Sequence, residues 1–182
     1  MSEPVSALGG ASFQGFATIR EIGPVGMITL RAKGLKSLEK AVKAVTGTKL
    51  PAQRRIEVNG DRACGWMSPD EYLLVLPYGD VQPALASLGK SLGSEHHLAV
   101  DVSDARAVFR IEGEKAAQVL RKLSPVDFDT LAPGELRRTR AAQVAAALWQ
   151  QDGGFTVVCF RSVAGYVMGL LTHSAQPGSE LD

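Results

Sequence analysis

A chain of 182 residues has room for one large domain or two small fused ones, and its balance of 45% hydrophobic to 21% charged residues supports an ordinary soluble core. Twenty basic and 19 acidic residues leave a formal charge of +1, so no overall electrostatic footprint for nucleic acid exists. Nothing approaches the roughly 18 to 20 apolar residues of a membrane span. Residues 1–12 show neither part of a secretion signal, and two cysteines are too few for a disulfide framework. A cytoplasmic protein with reduced thiols, without nucleic-acid or membrane partners, is expected.

In chain order, residues 1–12 are rich in Ser, Gly and Pro and predict a disordered tail. Residues 16–22 and 26–31 each alternate apolar and polar side chains around Gly23 and Pro24, the pattern of a β-hairpin. Leu35, Leu38, Val42 and Val45 recur at helical spacing. Pro51 ends that segment, since proline has no amide donor and clashes with the preceding turn. A second strand pair is predicted over 56–66, broken at Asn59 and Gly60, and 72–76. Val81, Leu85, Leu88 and Leu92 then mark an amphipathic helix.

The same order then recurs. Residues 98–103 and 107–112 flank a turn at Asp104 and Ala105; Ala116, Val119, Leu120 and Leu123 form a helical stripe that stops by Pro125. Strands at 143–149 and 155–160 are split by Asp152, Gly153 and Gly154, and Val163, Val167, Leu170 and Leu171 mark the closing helix. Residues 175–182 read as a flexible tail. Paired features are offset by about 80 residues, including Trp66 with Trp149 and Asp70 with Asp152, and Cys64 and Cys159 are expected on equivalent strands of the two halves. The implied fold is α+β: a duplicated ββαββα unit with largely antiparallel sheets and helices packed on one face. The module spans 13–174, with halves at about 13–95 and 96–174.

Candidate chemistry is sparse. His96 and His97 are adjacent, so a strand would point them to opposite faces, and His173 sits at a helix end; neither arrangement gathers metal ligands. A nucleophilic thiol needs a cationic neighbour or a helix N-terminus, whereas Cys64 and Cys159 lie in apolar runs and read as inert. Asp101, Asp104 and Glu112 read either as an acidic group or as turn residues bonding their own backbone, with Asp101 and Arg106 able to pair across the turn. Arg137, Arg138 and Arg140 read as a solvated strand or loop edge or as an anionic partner's surface. Gly9, Gly10, Gly113, Gly153 and Gly154 do not extend into a phosphate-binding pattern. Trp66, Trp149 and Tyr166 suit either a core or an interface. No catalytic, cofactor-binding or metal-ligating residue is expected in this chain.

Three runs carry a resemblance: GWMSPDEYLLVLP over 65–77, AVDVSDARAVFRIEG over 99–113 and FRSVAGY over 160–166. Together they make most of the chain, residues 23–171, similar to the gamma-subunit family of heterotetrameric sarcosine oxidases. The second half also resembles the folate-binding domain of the glycine-cleavage aminomethyltransferase superfamily. The resemblance implies a subunit without its own catalytic site in a cytoplasmic complex that oxidatively demethylates sarcosine to glycine. It further implies alpha, beta and delta partner subunits, with FAD, FMN, NAD and tetrahydrofolate on the large subunits and zinc on delta. The aminomethyltransferases place a working aspartate on the strand that Val144, Ala145, Ala146, Ala147 and Leu148 fill here. Alanine can neither take a proton nor stabilise a developing cation. A stand-alone folate-binding or one-carbon-transfer protein is the alternative, and a free-standing interaction module a third reading.

Overall fold

The computed structural model describes residues 3–181; Met1, Ser2 and Asp182, at the ends of the two expected tails, lie outside the described residues. In chain order the strands and helices are β1 (Ser12–Gln14), β2 (Thr18–Ile22), β3 (Val25–Ala32), α1 (Leu38–Thr46), β4 (Ile56–Asn59), β5 (Arg62–Ser68), β6 (Glu71–Pro77), α2 (Val81–Leu92), β7 (His97–Asp101), β8 (Arg106–Glu112), α3 (Ala116–Arg121), β9 (Leu136–Ala141), β10 (Val144–Gln151), β11 (Gly154–Phe160) and α4 (Ala164–Ser174). All strand pairings among the described residues are antiparallel, in agreement with the α+β expectation.

The chain divides into two compact units. One is residues 25–103; the other joins residues 3–24 to 104–181. Within 25–103 the sheet order is β4-β5-β6-β3-β7. Alternation along β3 and β6 sends Ile28, Leu30, Leu74 and Leu76 into a core with Val42 of α1 and Leu88 and Leu92 of α2. Helix α1 stops where Gly47 turns left-handed (φ 72°) and its N–H returns to the Lys43 carbonyl.

In the other unit the order is β1-β2-β8-β11-β10-β9. Ile19, Phe109, Ile111, Leu148 and Val157 meet Val119 and Leu120 of α3 and Val167 and Leu171 of α4 in its core. Phe128 and Phe155 pack edge to face there, with ring centroids 5.5 Å apart.

The two five-strand orders, β7-β3-β6-β5-β4 and β2-β8-β11-β10-β9, correspond strand for strand, as expected of a duplication. Rows across the sheets match as well: Ala99, Leu30 and Tyr72 in one, Ile19, Ile111 and Phe155 in the other. The pairings nevertheless correct the two expected hairpins. β2 pairs with β8 and β3 with β7, so the first strand of each repeat completes the sheet of the other repeat. The compact units consequently run 25–103 and 3–24 with 104–181, not 13–95 and 96–174. Alternation identifies a strand and its buried face but carries no information about its partner.

Two further differences follow from local physics. β9, absent from the expected strand order although its arginines read as a solvated strand or loop edge, is an edge strand with two of its three arginines exposed, so its apolar signal is confined to Leu136 and Ala141 at its ends. Helix α3 has only six residues, and Leu123 packs against the core from beyond its end.

The described parts of the tails are tied down, contrary to expectation. Ser6 Oγ (2.8 Å), Ala7 N (2.9 Å) and Gly10 N (2.9 Å) donate to the buried Glu21 carboxylate. Arg161 donates to the Val5 and Ser6 carbonyls at 3.0 and 3.1 Å. At the other end, Lys122 Nζ donates to the Ser174 carbonyl and to Ser179 Oγ at 2.8 and 3.0 Å, and Leu181 N donates to Gln118 Oε1 at 3.0 Å. Small polar composition hid anchors supplied by distant residues.

Candidate functional site

The two thiols do not occupy corresponding places, contrary to expectation: Cys64 lies on β5, whose counterpart is β10, and Cys159 lies on β11, the counterpart of β6. Cys64 on β5 pairs with Leu74 and is fully buried in the core of residues 25–103, where burial, and secondarily the Glu57 charge, pushes its pKa far up. Cys159 on β11 is buried in the other core; burial pushes it up to about 11, with Arg106 pulling the opposite way. Neither is poised as a thiolate at neutral pH. Tyr72 is likewise raised, first by burial and then by Cys64.

The histidines lie apart from such chemistry. His97 opens β7 with Nδ1 2.7 Å from the Glu95 carbonyl, and His173 is exposed in the last turn of α4. Among the described residues, no three His, Cys, Asp or Glu side chains gather as a metal site. Asp70, in the turn before β6, is held below the usual carboxylate range by the Ser68 hydroxyl at 2.9 Å, then by Arg31. The Asp101 carboxylate accepts from Ser103 N (3.0 Å), Ser103 Oγ (2.6 Å) and Gln82 Nε2 (3.2 Å), which is the turn chemistry anticipated for it.

Glu112 takes part in an ion network along its sheet. It sits 2.6 Å from Arg20 and 3.7 Å from Arg110, while Arg110 also donates to Thr156 Oγ1 at 2.9 Å and to the Gln151 carbonyl at 3.0 Å. Of the arginine cluster, Arg137 pairs with Glu135 at 2.9 Å, and all three lie on edge strand β9. Trp149 is buried, its Nε1 donating to Gln151 Oε1 at 3.1 Å, whereas Trp66 is half-buried against the core of residues 25–103. Tyr166 (48%) and Phe160 (49%) are exposed, and the Arg106 guanidinium stacks 4.2 Å above the Phe160 ring. That stacked pair was not singled out from sequence. Glu21 was also missed, although a readable signal existed: it continues the apolar face set by Ala17 and Ile19.

The alanine run lies on β10. Ala146 belongs to the apolar core, and Ala147 is buried on the opposite face between Arg138 and Val158 in the register. This strand therefore offers methyl groups, which neither take nor give a proton.

The family model "Sarcosine oxidase, gamma subunit family" matches residues 34–174. The chain belongs to that family. Among curated relatives, the sarcosine oxidase subunit gamma of Corynebacterium sp. (strain U-96) is 37% identical over 139 residues, covering 73% of this chain and 66% of the relative, just under two thirds of its length. As a fold, this gamma-family chain is similar to a chain of the heterotetrameric sarcosine oxidase from Corynebacterium sp. U-96 in complex with pyrrole 2-carboxylate. There the TM-score is 0.79 at 27% identity, over 87% of this chain and 83% of that one. The glycine cleavage system aminomethyltransferase T of Bartonella henselae shares the fold, with TM-score 0.63 at 12% identity over 86% of this chain and 45% of that one.

Proposed function

We propose that this chain is a non-catalytic gamma subunit of a cytoplasmic heterotetrameric sarcosine oxidase, assembled with alpha, beta and delta subunits and supporting the oxidative demethylation of sarcosine to glycine. The observation that carries the reading is the family match over residues 34–174, joined by likeness to a chain of a heterotetrameric enzyme. The chemistry of the chain supports it: its thiols are buried with raised pKa values, and β10, where the superfamily resemblance would place an aspartate, holds alanines. FAD, FMN, NAD and tetrahydrofolate belong, in this reading, to the larger subunits and zinc to delta; this chain binds none of them by itself.

Co-expression with the alpha, beta and delta subunits, with and without this chain, tests the proposal. Loss of the assembled complex and of sarcosine turnover without it is expected. Equal yield and equal turnover without it would defeat the subunit role. Calorimetric titration of the chain with tetrahydrofolate checks the other side of the reading: no heat is expected, and micromolar binding, about −8 kcal/mol, would favour a folate-binding protein.

A further inference from the structure

β7 forms one edge of the sheet in residues 25–103, and it is an unusual edge. Leu98, Ala99 and Val100 carry no charge along it, and Leu98 (54%) and Val100 (41%) are exposed on one face. An open apolar edge invites pairing and is normally blocked by charge or covered. The acidic residue of β7, Asp101, stands at its end, whereas edge strand β9 carries Arg137, Arg138 and Arg140, edge strand β4 carries Glu57, and the remaining edge, β1, is only three residues long.

The duplication supplies a template for what covers such an edge. β2, the counterpart of β7, is covered by β1, which adds antiparallel with Phe13 across from Ile19. Glu21 N donates outward to the Ala11 carbonyl at 2.8 Å, and the Glu21 carboxylate gathers a hydroxyl and two backbone N–H groups from the segment leading into β1. Ala99 stands where Ile19 does and Asp101 where Glu21 does, since they face Leu30 and Ile28 as Ile19 and Glu21 face Ile111 and Phe109.

The backbone direction matches too. Val102 N donates to the Met27 carbonyl at 2.9 Å, so the amides of alternate residues Val100 and Leu98 also turn toward β3, and those of Ala99 and Asp101 turn outward.

We propose that the edge of β7 docks an extended segment of a partner subunit, which adds to it as an antiparallel strand in the way β1 adds to β2. The inference rests on the subunit reading above. The geometry sets the chemistry of the segment. Its main chain pairs with Ala99 and Asp101, and a large apolar side chain stands across from Ala99, whose methyl leaves more room than Ile19 does. Apolar residues flank that position and cover Leu98 and Val100, and a hydroxyl or free backbone N–H reaches the Asp101 carboxylate. A second copy of this chain is a poorer occupant. Five residues make a strand about 17 Å long, too short for two copies alone to bury the roughly 1,200 Å² of a stable interface.

Hydrogen exchange of the Ala99 and Asp101 amides, compared between the free chain and the co-expressed complex, is the test. Exchange is expected to slow by about 100-fold on assembly. Val100→Lys, which changes an exposed side chain, and Ala99→Pro, which removes an outward N–H, are expected to lower complex yield at least several-fold while the free variants keep the wild-type melting temperature. A wild-type complex that forms with both amides still exchanging freely would overturn the strand addition and leave the subunit role intact. So would free chains that dimerise through β7 in sedimentation. Failure of the wild-type chain to enter any complex would remove the subunit reading and this inference with it.

Discussion

Cys159 shows how burial converts a reactive residue type into a structural one. Its thiol is held up to about 11 by burial, against an ordinary value of 9.0, so the folded chain keeps a proton that the unfolded chain releases earlier. A folded-state pKa above the unfolded one gives a contribution fully present below about pH 9 and lost as pH rises through about 11. Thermal melts between pH 8 and about 11 should therefore show a falling melting temperature, with a shallower slope in Cys159→Ala, which has no proton to lose. Equal slopes would mean the thiol is not linked to folding. The burial of both cysteines was legible in the sequence, because apolar neighbours in a strand imply burial. Glu21 was legible only as an anomaly, a carboxylate on the apolar face of its strand; that it served a segment more than ten residues away was not.

At the scale of elements, that carboxylate decides whether residues 3–11 are a tail or part of the fold. Buried and accepting three hydrogen bonds, Glu21 binds the segment that leads into β1. Replacing it with alanine leaves the Ser6 hydroxyl and the Ala7 and Gly10 amides without their acceptor, at a cost of about 2 kcal/mol. Glu21→Ala should accordingly lower the melting temperature and speed proteolytic cleavage within residues 3–11, whereas Glu21→Gln, which keeps one acceptor oxygen, should fall between it and wild type. Unchanged cleavage in Glu21→Ala would show that Arg161 and the strand pairing alone hold the segment. Apart from β1, which starts inside the expected tail, strands, helices and their order were otherwise readable from alternation and helical spacing. β9 was not, because an edge strand needs few buried side chains and so carries little period-two signal.

The exchanged strands connect sequence and fold over the whole chain. Each repeat reads as a self-sufficient block, yet β2 lies in the sheet built by the second repeat and β7 in the sheet built by the first. Cutting the chain at 95 and 96 thus removes a strand from each sheet and leaves Ile19, with its core partners Phe109 and Ile111, on separate fragments. A fragment of residues 25–103 keeps β3, β4, β5, β6, β7 and both covering helices together. We expect 25–103 to melt more cooperatively and at a higher temperature than 13–95, although 13–95 contains nearly all of the first repeat, because 13–95 retains the edge of β3 uncovered and carries β2 without β8. Circular dichroism melts of the two fragments separate the alternatives. A higher and sharper transition in 13–95 would mean that stability follows the repeats instead of the compact units, and that the β2–β8 and β3–β7 pairings contribute little to holding either sheet.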